Sequence, residues 1–283
     1  MELLSLSLGL EGTHVLITGA GGYIGRACVA AFLSAGAYVT ALDLSAAKLD
    51  NLGAHANLFK VTADITNETQ LESAFTDAHA KHGVVACCIA LASLDLHVLK
   101  HYQSIADMET ENLRQTLQVN VEGTFFTARA WLRNIKALAT PDTKNVSLIL
   151  VGSESGHFGE RGNPDYAASK SAVQYGLLRS LSADVPRVFK AGRVNAVAPG
   201  PVDTPAFQEE CSQNPGQLWL DSQATTATAQ PVPEEAVAKG VIFLASEAFS
   251  GSIMGQILNI DGGKQGKVLW TKDEVEMRMS RET

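Results

Sequence analysis

The chain has 283 residues, 46% of them hydrophobic, which is enough for one sizeable core. A formal net charge of −8 with no Lys/Arg run excludes a nucleic-acid surface. The longest apolar stretch, Val84 to Leu94, is too short for a membrane span.

The N-terminal MELLSLSLGLEG lacks the basic region of a secretory signal, so no export is expected. His14–Thr18 is a short apolar strand that ends in a glycine cluster. Ile24–Ala35 has helical character and stops at Gly36. Tyr38–Leu42 is a second strand ending at Asp43, and Leu58–Thr62 a third ending at Asp64. Glu68–His82 reads as a helix, Val84–Leu91 as a fourth strand and Leu113–Ala139 as a long helix. Val146–Val151 is a fifth strand ending at Gly152-Ser153, and Asp165–Ala183 another helix. Arg193–Val197 is a sixth strand, followed by Pro199-Gly200-Pro201. Glu234–Ala245 is a late helix, and Gln256–Ile260 a last strand closed by Asp261-Gly262-Gly263.

Alternation of near-continuous apolar strands with helices predicts an α/β fold. The expected architecture is a doubly wound, Rossmann-like parallel sheet with helices on both faces, in a single domain over residues 1–263. Residues 204–233 are rich in Gln, Thr, Ala and Pro and break the rhythm, as an active-site lid does. Residues 264–283 form a polar, charged C-terminal extension. Cys28, Cys87, Cys88 and Cys211 follow neither a zinc spacing nor a CxxC pattern, so reduced thiols in a cytoplasmic protein are expected.

Thr18 to Gly25 reads TGAGGYIG, directly after a strand and opening a helix. Gly19, Gly21, Gly22 and Gly25, with Tyr23 and Ile24 between them, can bring the backbone close to a pyrophosphate. The helix N-terminus then offers it free N–H groups and a positive dipole end. Asp43, eighteen residues after Gly25, can accept hydrogen bonds from a ribose and repel a 2′-phosphate. That favours NAD over NADP.

Tyr166 and Lys170 stand four apart on a helix, so they share a face. At an effective dielectric of about 20, a unit charge ~4 Å away is worth about 4 kcal/mol, or up to about three pKa units. An ammonium so placed is expected to bring a phenol towards the range of a general acid/base at neutral pH. Ser153, thirteen residues before Tyr166, ends a strand where its hydroxyl can hold a substrate oxygen, and Ser155 is a neighbouring candidate. Asn120 is an amide within an apolar helical stretch, and by residue type alone it reads as a buried amide bonded to backbone. His97 and His101 have i,i+4 spacing but no carboxylate at useful spacing to complete a metal site, so no metal is expected. His157 lies near Ser153 in the chain, which makes it a candidate pocket residue.

Taken in order, these motifs resemble the short-chain dehydrogenase/reductase family from about Leu10 to Gly263. They are Gly19–Gly25, Asp43, Asp64-Ile65, Asn120, Ser153, Tyr166-Lys170 and Pro199-Gly200. The resemblance implies that Tyr166 is the acid/base, Ser153 orients the substrate oxygen and Lys170 lowers the Tyr166 pKa and binds the nicotinamide ribose. It further implies that Asn120 holds a water relaying protons to Lys170. Asp64 and Ile65 would contact the adenine, Ala90 would line the cofactor site, and Val202 and Thr204 would grip the carboxamide. A homodimer or homotetramer is implied as well.

Two features depart from the compact members. Tyr23 stands where the middle glycine of TGxxxGxG falls, so TGAGGYIG fits the TGxxGxxG of extended members, many of them epimerases. Cys88-Ile89-Ala90-Leu91 replaces the usual Asn-Asn-Ala-Gly. The expected activity is NAD(H)-dependent interconversion of a secondary alcohol and a ketone. The alternatives are an isomerase using tightly bound NAD transiently and a non-catalytic nucleotide-binding relic. Phe207, Leu218 and Trp219 in the lid point to a small apolar or ring-containing substrate. Neither a nucleic acid nor a membrane is expected as a partner.

Overall fold

The computed structural model describes residues 5–281. Seven strands form one parallel sheet in the order β3-β2-β1-β4-β5-β6-β7. In chain order the elements begin with β1 (His14–Thr18), α1 (Tyr23–Ser34), β2 (Tyr38–Asp43), α2 (Ala46–Asp50), β3 (Leu58–Thr62), α3 (Glu68–His82) and β4 (Cys87–Ala90). Next come α4 (Thr110–Leu117), α5 (Thr124–Leu138), β5 (Ser147–Val151), α6 (Ser155–Phe158), α7 (Pro164–Ser171), α8 (Leu178–Val188) and β6 (Arg193–Pro199). The chain closes with α9 (Pro205–Gln213), α10 (Glu234–Ala245), α11 (Glu247–Ser250), β7 (Ile257–Ile260) and α12 (Lys272–Arg281). None of the described helices is long and apolar enough to cross a membrane.

Both faces of the sheet are buried. Leu16, Cys88, Leu148 and Val194 enter one core with Trp131 and Ile135 of α5 and Phe75 of α3. Their strand neighbours Val15, Ile17, Cys87 and Ile149 enter the other with Phe32 of α1 and Val241 of α10. Successive strand residues point to opposite faces, so two cores favour apolar residues at most positions, and the buried polar ones, such as His14 and Ser147, are hydrogen-bonded. Burying each large aliphatic side chain contributes about 1.5–3 kcal/mol.

The central strands therefore carry chemistry only where they end. Strand order reverses between β1 and β4, and Thr18 pairs with Ala90 at the C-terminal ends of those strands. A crevice at such a switch point is where ligands of doubly wound sheets bind.

Three expectations change in detail. The long helix over Leu113–Ala139 is interrupted by a π-helical turn at Gln118–Gly123, between α4 and α5. The helix expected to end at Ala183 runs through a second π-helical turn, Ala172–Leu177, and on to Val188 past Pro186. Proline there removes one N–H bond near the helix end, and burial of Val185 anchors that last stretch. The segment 204–233 is not irregular throughout: it holds α9 and a π-helical turn at Trp219–Gln223, and a parallel bridge joins Val202, just before it, to Val232.

His14 opens β1 in a buried polar pocket. Its Nδ1 donates to the Gly83 carbonyl at 2.8 Å and its Nε2 accepts from the Thr40 hydroxyl at 2.9 Å, which requires the neutral tautomer. Burial pushes its pKa down from 6.5 to about 4. The unfolded chain thus binds the extra proton first, and stability falls as pH drops from 6.5 towards 4. The loss from this group is expected to be about 3 kcal/mol. Denaturant unfolding at pH 7 and pH 4.5, compared between the protein and His14→Gln, checks this, and the variant should show a flatter pH dependence.

Candidate active site

The glycine loop is shaped by close backbone approach. Gly19 has a φ of +69°, and a Cβ there would lie 2.8 Å from the Ala92 Cα. A Cβ on Gly25 would lie 2.2 Å from the Gly19 carbonyl oxygen. No side chain caps α1, and no acidic residue occupies its first turn. An uncapped helix N-terminus leaves first-turn amides without partners, so this cradle fits a pyrophosphate. Tyr23, in place of the family's glycine, is the first residue of α1 and half-buried, with the Arg26 guanidinium 5.0 Å from its ring centre.

Asp43 ends β2 against this loop. Its carboxylate accepts from the Gly21 amide at 3.0 Å and the Ser45 amide at 3.0 Å. Sequence reasoning missed Lys48 of α2, whose Cβ would meet a Cβ on Gly21 at 2.5 Å. Ser45 begins α2 and is its cap, which is the local signal that could have revealed the helix. Asp64 accepts from both the amide and the hydroxyl of Thr66 at 2.8 Å. The Ile65 side chain is buried in the core against Gly123, where a Cβ would meet it at 2.5 Å.

The unusual segment after β4 is secured from elsewhere. The Thr18 hydroxyl accepts from the amides of Leu91 at 3.1 Å and Ala92 at 3.2 Å. Asn120, in the π-helical turn, grips Leu94 through both ends of its amide, at 2.7 and 3.1 Å, and donates to the Ser169 hydroxyl at 3.1 Å. Its side chain thus ties the β4 loop to α7, as expected of a buried amide bonded to backbone. Ala90 itself is buried at the end of β4.

Tyr166 and Lys170 lie one turn apart on α7, 6% and 3% exposed, with the Lys170 ammonium 5.5 Å from the phenol ring centre. Lys170 donates to the Ser93 hydroxyl and the Val151 carbonyl, each at 3.1 Å. The Ser153 hydroxyl lies near enough to the Tyr166 phenol to favour its ionised form. The Ser153 hydroxyl also accepts from the Ser155 amide at 3.1 Å, and its own amide donates to the Gln174 side chain at 2.9 Å. Gln174 comes from the second π-helical turn, and no local motif marks it. His157 is taken up by Tyr175 at 2.6 Å, Gln174 at 3.2 Å and Asn259 at 3.0 Å.

The electrostatics differ from the expectation of a lowered phenol pKa. Burial holds Tyr166 well above its ordinary value, and the carboxylates of Asp95, Glu154 and Glu160 push the same way, against the Ser153 hydroxyl. Burial also pulls Lys170 down to about 8, opposed by Asp95. Desolvation penalises both charged forms, and here it outweighs the attraction between them.

Asp95 lies in the cleft yet open to water, its side chain 55% exposed. Burial among the cleft walls opposes its ionisation, but the His97 hydrogen bond, the Leu96 amide and the charges of His97 and Lys170 hold its carboxyl below the usual value. His97 pairs with this carboxylate at 3.4 Å, whereas His101 meets Asn163 at 3.4 Å. Among the described residues no group of His, Cys, Asp or Glu could hold a metal ion.

Beyond β6, the Gly200 amide donates to the Ile260 carbonyl at 3.0 Å, just after Pro199 ends the strand. Thr204 caps α9 by accepting from the Phe207 amide at 3.1 Å, which leaves its own O–H free to donate. The lid brings more than the expected apolar groups. Phe207 and Leu218 are half-buried and Trp219 exposed, but the lid also carries Glu210 and Asp221: burial raises the pKa of both, the charge of Asp221 adds to the rise of Glu210, and that of Glu160 to the rise of Asp221.

This order of strands, cradle and buried Tyr–Lys pair defines a dinucleotide-dependent oxidoreductase fold, and comparison with known proteins agrees. The family model described as enoyl-(acyl carrier protein) reductase matches residues 19–265. The chain is 30% identical to 3-oxoacyl-[acyl-carrier-protein] reductase FabG of Thermotoga maritima, over 90% of this chain and 98% of that one. It is 32% identical to galactitol 2-dehydrogenase (L-tagatose-forming) of Cereibacter sphaeroides, over 90% and 95%. A crystal structure of a short-chain dehydrogenase/reductase (glucose/ribitol dehydrogenase) from Brucella melitensis shares the fold. Its TM-score is 0.77 at 24% identity, covering 90% of this chain and 97% of that one. The chain belongs to the short-chain dehydrogenase/reductase family, an oxidoreductase family that uses nicotinamide cofactors.

Gly25→Ala places a methyl group inside the cradle. It is expected to weaken binding of a nicotinamide dinucleotide at least about tenfold, read by calorimetry, with circular dichroism checking that the fold is kept.

Proposed function

We propose that this protein interconverts a secondary alcohol and a ketone with NAD(H), using Tyr166 as the proton donor and acceptor. The observation that carries the reading is the buried Tyr166–Lys170 pair with the Ser153 hydroxyl beside the phenol, Ser153 following the C-terminal end of β5. The bound nicotinamide supplies hydride exchange with the substrate carbon. Every other role falls to the chain. Ser153 holds the substrate oxygen, positioned in turn by Gln174 and Ser155. Tyr166 gives its proton to a ketone oxygen in reduction or takes the alcohol proton in oxidation. Lys170, near pH 8 in its own titration, stands behind the phenol as the next proton carrier. Asn120 keeps α7 and the β4 loop in register.

The raised phenol pKa favours the protonated form at neutral pH, which suits reduction in the absence of a further cation. Carboxylates of Asp95, Glu210 and Asp221 around the cleft disfavour an anionic substrate and suit a neutral, hydroxylated one. The name of the galactitol 2-dehydrogenase relative is consistent with that class. By the family resemblance Val202 and Thr204 would meet the nicotinamide carboxamide, and the same resemblance suggests a homodimer or homotetramer.

Two outcomes test the reading. With a panel of secondary alcohols and ketones that includes polyols, Tyr166→Phe is expected to lower kcat by about 10²–10⁴-fold. NADH affinity, read by fluorescence titration, should stay nearly unchanged, and full turnover by this variant would overturn the mechanism. Asp43→Asn removes the charge but keeps an acceptor for the loop amides. It is expected to reduce the preference for NAD over NADP at least about tenfold, as the ratio of the two dissociation constants.

A further inference from the structure

We infer that Lys267, from the extension beyond β7, is a positioning residue for the Ser153–Tyr166 site, acting through Glu154 and Glu160. The inference rests on the assignment of Ser153 and Tyr166 to the chemistry. The Lys267 ammonium donates to Glu154 and to Glu160, each at 2.6 Å. The three side chains are 17%, 6% and 20% exposed. Glu154 directly follows Ser153 in the chain. Glu160 accepts from the Ser155 hydroxyl at 3.1 Å, and the Ser155 amide donates to the Ser153 hydroxyl at 3.1 Å. A hydrogen-bonded path thus runs from Lys267 through Glu160 and Ser155 to the hydroxyl that meets the phenol.

Lys267 stands on a fixed mount. Residues just before it pair with the lid: the Ala227 amide donates to the Gly263 carbonyl at 3.1 Å and the Gln265 amide to the Thr225 carbonyl at 2.9 Å. Lys264, with a fully buried side chain, donates to the Asp221 carbonyl at 2.6 Å and lies 3.7 Å from Glu154. Two ammonium groups therefore balance two carboxylates at the rim of the site. Breaking such a partly buried set by removing one charge leaves the opposite charge uncompensated.

The groups facing Tyr166 are Lys170 from its own helix, Asp95 from the β4 loop, and Glu154 and Glu160 from the loop between β5 and α7. Lys264 and Lys267 face those two carboxylates, and Asp221 and Glu210 reach the cleft from the lid. Without Lys267, one carboxylate more opposes the phenolate. Carboxylates ionise far below the pH at which a phenol does, so proton uptake cannot hide the change.

The experiment follows the ionisation of Tyr166 in the full chain saturated with NAD. The ultraviolet absorbance of tyrosinate is titrated against pH, and the signal of the same protein carrying Tyr166→Phe is subtracted. Lys267→Met is expected to move the Tyr166 titration up by on the order of one pH unit, the scale of one unit charge acting at an effective dielectric of about 20. Lys267→Arg should restore it, and so should Lys267→Met combined with Glu160→Gln, which removes the stranded charge. An unmoved titration in Lys267→Met overturns the inference. So do equal shifts in the Met and Arg variants, the mark of a mere structural staple. If the unaltered protein does not bind NAD, the oxidoreductase reading fails instead, and the inference about Lys267, which rests on it, falls with it.

Discussion

Alternate residues of the central strands enter two separate cores, Val15 and Ile17 one side, Leu16 the other. Nothing polar can be placed along such strands without a partner, so the polar groups collect where β1, β4, β5 and β6 end. Thr18, Ser153 and the turn after Pro199 all stand at those ends. Reversal of strand order between β1 and β4 opens the space that they face. The cradle, the β4 loop and the Tyr166 helix are arranged around this one geometric consequence of burial.

The same burial governs the chemistry. Tyr166 and Lys170 share a helix face, yet their distance is less decisive than their desolvation, which raises the phenol and lowers the ammonium to about 8. Their protonation is then set by a few charges at the rim. Asp95 acts on both, while Glu154 and Glu160 act on the phenol and are themselves balanced by Lys264 and Lys267. In a poorly solvated site each such charge counts for more than it would in water.

Much of the fold was legible because most strands are largely apolar runs closed by a glycine or an aspartate within a residue or two, β4 excepted. His14–Thr18, Leu58–Thr62, Glu68–His82 and Glu234–Ala245 fold over the spans that their patterns predict. The two π-helical turns were not legible, since a single extra residue leaves the surrounding apolar spacing close to helical. The packing of the Ile65 side chain on Gly123 was not legible either, since the two stand 58 residues apart in the chain.

By itself the sequence determined the cradle, the acid at the end of β2 and the Tyr166–Lys170 spacing, because each depends on residues close together in the chain. Tertiary structure alone decided what surrounds them. Gln174 reaches Ser153 across 21 residues, Asn120 reaches Ser169 across 49, and Lys267 reaches Glu160 and Glu154 across 107 and 113. Contacts of that span obey no local periodicity, and the pKa of a buried group depends on the sum of its neighbours in space. So the identity of the proton-transfer pair was written locally, whereas the direction in which its titration moves was settled only once the chain had closed around it.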